Sequence, residues 1–60
     1  MGEAFLDCAR DLKTIYVEGR QGSHEEEELW NLLVVYLQMM DDNEKTQILV
    51  ETIIMWKENN

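Results

Sequence analysis

Between Leu29 and Met40 the chain runs for twelve residues with only two polar side chains, Asn31 and Gln38. These two stand seven residues apart, so on a helix they share one face and leave the others apolar. A helix that is apolar on nearly every side has to be covered on nearly every side. The chain has sixty residues, and a domain of that size buries only roughly 60% of its extended-chain surface. Two further short helices can hardly cover such an element. The sequence therefore predicts that a second copy or another protein completes the burial. Other stabilisers fall away: Cys8 is the single cysteine, and Cys8 with His24 supplies two of the four ligands a structural zinc usually needs.

The flanking segments read as amphipathic helices. Over about residues 3–18, Phe5, Cys8, Ala9, Leu12, Ile15 and Tyr16 follow the i, i+3, i+4, i+7 spacing of one helical face. Gly19-Arg20-Gln21-Gly22 ends that helix, since either glycine can take the left-handed conformation of a C-terminal cap. Ser23 and Glu26 open the second helix, about residues 24–40, as an S-x-x-E capping box with each side chain on the other residue's backbone N–H. The pair Val34-Val35 is β-branched, yet the cap and the length favour helix over strand.

Asp41 with Glu44 offers a second box for a helix over about 42–57, with Asp42 as the competing cap. There Ile48, Leu49, Thr52, Ile53 and Trp56 make one stripe, and Val50, Ile54 and Met55 a second, partial one. Lys57 suits the negative end of the helix dipole, and Asn59-Asn60 are expected to fray. The short Met40–Glu44 link makes helices two and three antiparallel neighbours. The expectation is one all-α domain over residues 1–60, three helices long, whose helix two–helix three hairpin builds the core and which oligomerises, a homodimer being favoured.

Charge narrows the partners. Thirteen acidic residues against five basic ones leave a formal net charge of −8, which disfavours nucleic acid and anionic membranes, both negative themselves. Basic or apolar protein surfaces remain. The twelve-residue apolar run falls short of the roughly twenty residues of a spanning helix. Met1 to Leu6 lacks a basic leader region and no apolar core follows it. With a lone thiol suited to a reducing compartment, the expected setting is the cytoplasm.

Little in the sequence has the pattern of chemistry. His24 and Glu28 are an i, i+4 pair, but a polar first turn accounts for them, and the E-x-x-H spacing of carboxylate-bridged metal bundles is missing. Glu25, Glu26, Glu27 and Glu28 point in different directions on a helix and have no glycine-turned ligand loop. Compensation of the helix dipole explains them, with electrostatic steering of a partner as the alternative. Asp41-Asp42-Asn43-Glu44 lacks the alternate-residue ligands of a calcium loop. Cys8 lies on the apolar stripe and reads as core. Gly19 and Gly22 lack the strand and lysine of a phosphate cradle. Neither an enzyme, a cofactor nor a metal site is expected.

What stands out is large and apolar. Trp30, Leu33, Tyr36, Leu37, Met39, Met40 and Trp56 are the candidate partner or oligomer interface, because aromatic and methionine side chains are enriched where proteins meet. Asn31 and Gln38 would either set register across a self-association seam or mark a solvent-facing strip.

Residues 28–56 resemble the helical hairpin that follows the helix-turn-helix domain in phage-type repressors. Leu29, Leu32, Leu33, Tyr36 and Met40 lead into the acidic turn Asp41-Asp42-Asn43-Glu44, then Lys45 and Ile48-Leu49. In that family the hairpin mediates self-association. Residues 1–22 are too few and too acidic for the family's DNA-reading domain, so the resemblance implies an association module without a reader. The expected function is a small acidic regulator or inhibitor, of phage or mobile-element type. It would dock on a larger protein, with DNA-binding proteins among the candidates, and a self-assembling bundle is the alternative.

Overall fold

The computed structural model describes residues 2–58, and the expected fraying of Asn59 and Asn60 lies outside them. Three helices follow one another: α1 over Gly2–Val17, α2 over His24–Gln38 and α3 over Asp42–Lys57. No strand occurs among the described residues. Both inter-helix turns are built as their residues require. Gly19 and Gly22 have φ of 72° and 83°, a left-handed conformation that costs residues with a Cβ strain.

Asp41 and Glu44 form the full reciprocal box: Asp41 Oδ1 accepts from the Glu44 N–H at 2.8 Å and Glu44 Oε1 from the Asp41 N–H at 3.3 Å. Asp41 is thus the cap, and Asp42 is the first residue of the helix. The Ser23 box is only half made. Ser23 Oγ accepts from the Glu26 N–H at 3.2 Å, but the Glu26 carboxylate turns away and takes the Gly22 N–H at 2.6 Å instead.

The core is centred on α1 and not on the α2–α3 hairpin. Phe5, Cys8, Ala9, Leu12 and Ile15 of α1 are buried, against Leu33 alone from α2 and Ile48 alone from α3; Met40, in the link between them, adds the eighth. The reason is the clean stripe of α1, which is narrow enough to be covered from two sides. Helix α2 packs along one flank of α1 and α3 along the other, and α2 and α3 touch each other only slightly. Lys13 Nζ donates to the Met55 carbonyl at 3.0 Å, near the end of α3, and a Cβ on Gly2 would sit 3.3 Å from Ile48, near its start. So α1 and α3 run the same way, and α2 runs back between their ends.

The outcome is a thin molecule. Its principal extents are 33 × 26 × 13 Å. Helices α2 and α3 both pack on the apolar stripe of α1 and stand largely apart from each other.

Candidate interaction surfaces

One end of the molecule is held by a polar knot. Tyr16 Oη on α1 donates to Glu26 Oε2 at 2.5 Å and accepts from Trp30 Nε1 at 3.2 Å. Its ring meets the Trp56 ring edge-on, with centroids 5.6 Å apart and planes at 63°, a favourable geometry for aromatic quadrupoles. Residues from all three helices meet here. The bond from Tyr16, then the one from the Gly22 N–H, hold the Glu26 carboxyl below its ordinary range. The same partner raises the Tyr16 hydroxyl.

The acidic run is therefore not one uniform patch. Glu26 is engaged within the fold, and Glu25 pairs with Arg20 at 2.5 Å, which also meets Glu18 at 2.8 Å. Glu28 lies 3.8 Å from His24, both well exposed, and Glu27 is exposed. Among the described residues no three histidine, cysteine, aspartate or glutamate side chains gather closely enough to hold a metal ion. Nor, among the described residues, is any helix long and apolar enough to cross a membrane. Cys8 is buried in the core, where burial first, then Asp11 and Asp7, push its thiol upward and keep it protonated.

The apolar candidates divide three ways. Leu33 and Met40 are only 6% exposed and belong to the chain's own core, so they present nothing to a partner. Tyr36 and Leu37 are half-buried against that core. Trp30, Met39 and Trp56 remain exposed. Several large side chains outside the expected set join them: Leu32, Val34 and Val35 on α2, and Leu49, Val50, Ile53 and Ile54 on α3. Their signal was present in the all-round apolar character of α2 and the double stripe of α3. Which side of each helix α1 would cover could not be read from composition.

Two apolar surfaces result. The first is a groove of about 490 Å³ between α2 and α3, floored by Phe5, Ala9 and Leu12 of α1. Trp30, Val34 and Leu37 form one wall and Leu49, Ile53 and Trp56 the other. The sequence stripe Ile48, Leu49, Thr52, Ile53, Trp56 is thus split: Ile48 enters the core and the rest line this groove. The second surface is on the opposite flank of α2, where Leu29, Leu32 and Val35 lie with Glu25, Glu28 and Asn31 around a shallow depression. Glu25, Glu28, Leu32, Val35 and Met39 recur at intervals of three and four, a straight stripe along one helix face.

Compared with family models, with curated proteins and with solved structures, the chain matches none.

Proposed function

We propose that this protein is a small non-enzymatic interaction module, a regulator or inhibitor that docks on a larger protein with a basic and apolar surface. One observation carries the reading: the stripe Glu25, Glu28, Leu32, Val35, Met39 on the free flank of α2, with Leu32, Val35 and Met39 all exposed. Its carboxylates stand at the helix N-terminus and its apolar residues follow, so one helix face offers both charge steering and burial. The net charge of −8 speeds encounter with a cationic partner and disfavours direct nucleic-acid binding. The resemblance to a repressor hairpin adds DNA-binding regulators as the partner class, with the acidic turn of α2 standing in for phosphate charge. On this reading the setting is the cytoplasm, where Cys8 stays reduced.

The test is affinity capture from host extract, with mass spectrometry, using the wild type beside Val35→Ser and Glu28→Lys. The expected result is a basic protein retained by the wild type, released as salt rises, and lost or weakened with both variants. Identical captures by all three chains would reject the reading.

A further inference from the structure

We propose that the groove face is the seat of a second copy of this chain, the two chains stacking groove against groove as a two-fold dimer. Uncovered apolar surface is the first ground. Domains bury the apolar faces of their helices against other elements, yet Trp30, Val34, Leu49 and Ile53 of the groove walls are exposed in the single chain. Their cover must come from outside the chain.

The character of the face says which cover fits. None of the thirteen acidic residues lines the groove, and Lys57 is its one charged member. In a chain of net charge −8 that is a marked separation. A cationic partner helix finds no carboxylate in the walls, whereas an equally apolar face finds a match. Such a match is the composition of homodimer interfaces, whose buried centres are depleted of charge. Stacking two copies this way also keeps every carboxylate out of the groove walls at the seam, so the excess negative charge of the two chains is not forced into a dry contact.

Size agrees. The molecule is 33 by 26 Å across its broad side, an outline of the same order as the roughly 800 Å² that each partner contributes to a standard interface. The ridge Leu49, Ile53, Trp56 stands beside a groove able to receive its counterpart, the ridge-into-groove arrangement of packed helices. Ile53 is 60% exposed in the single chain and becomes covered in the pair. The dimer uses a different face from the α2 stripe, so each proposal can fail alone.

Sedimentation equilibrium of the full chain at micromolar concentration should give twice the 7.1 kDa chain mass. Ile53→Glu puts a carboxylate into the seam and should raise the dimer Kd about tenfold or more, with the helical circular dichroism unchanged because the site is exposed in the protomer. Val34→Glu, on the facing wall, should do the same and replaces Ile53→Glu if that variant loses helix. Ile54→Glu, on the other side of α3 beside Leu6 and Arg10, should leave the dimer intact. A wild type that stays monomeric at hundreds of micromolar overturns the proposal, and so does a dimer weakened by Ile54→Glu but not by either groove variant. A monomer that still captures a basic protein through Val35 would reject the dimer alone. A dimer that captures nothing through that stripe would reject the docking function alone.

Discussion

Tyr16 donates its hydroxyl proton to the Glu26 carboxylate across the α1–α2 turn, at 2.5 Å. That one bond explains why the S-x-x-E box at Ser23 is only half formed. Both oxygens that could have capped the Ser23 N–H are engaged elsewhere, Oε2 by the phenol and Oε1 by the Gly22 N–H, and bonds to an ionised acceptor are stronger than neutral ones. Trp30 and Trp56, which both line the groove, also touch Tyr16, one through a hydrogen bond and the other through its ring.

The bond should appear in the pH dependence of stability. Glu26 has a lowered carboxyl pKa in the fold, so its contribution is complete above the ordinary glutamate value and is lost as pH falls through the folded value. Tyr16→Phe keeps the ring on Trp56 and removes the main cause of the shift. Urea unfolding followed by circular dichroism at neutral and acidic pH should show a smaller acid loss for Tyr16→Phe than for the wild type. Equal losses would mean that the carboxylate is held by other groups.

Leu12 is 1% exposed at the centre of α1, while Val17, five residues on, is 73% exposed. Leu12→Ala should cost about 2–5 kcal/mol, as truncations in a packed core do, and in so small a domain that should abolish the cooperative transition at ambient temperature. Val17→Ala should change stability by less than about 0.5 kcal/mol. Both are read from urea melts at one fixed protein concentration, since association would shift the midpoint.

Asp41, and not Asp42, is the cap of α3. Asp41→Ala should therefore cost about 0.5–2 kcal/mol. Asp42→Ala removes only a favourable charge from the first turn and should cost less than half as much. Thermal melts of the two variants side by side distinguish them, and equal losses would show that the box contributes no more than charge.

The Cys8 thiol, buried and pushed upward by its surroundings, should react slowly with a maleimide in the folded chain. Labelling should speed up by at least about tenfold in denaturing urea, where the thiol is free to ionise and reach solvent. Fast labelling of the native chain would mean that the α1 stripe opens readily.

How much of this was written in the sequence depends on the range of the interaction concerned. The three helices and both glycine turns follow from neighbours a few residues apart, through periodicity, left-handed glycines and side chains that cap nearby N–H groups. The Asp41–Glu44 box was legible for the same reason. The Ser23 box was misread because its acid had a competitor ten residues upstream in Tyr16, which no local pattern shows.

The largest change concerns which helix lies in the middle. Periodicity makes α2 the element most in need of cover, and by itself points to α2 and α3 packing on each other. The tertiary structure instead puts the narrow stripe of α1 at the centre, because a helix flanked on two sides can bury a narrow stripe completely. An all-round apolar helix with one main neighbour cannot be buried so. Leu33 and Met40 go inward, whereas Trp30, Val34, Leu49 and Ile53 stay at the groove. Sequence alone determined that this chain has more apolar surface than it can cover. Only the packing decided where the excess lies, since burial depends on which helices become neighbours, and that is a property of the whole chain.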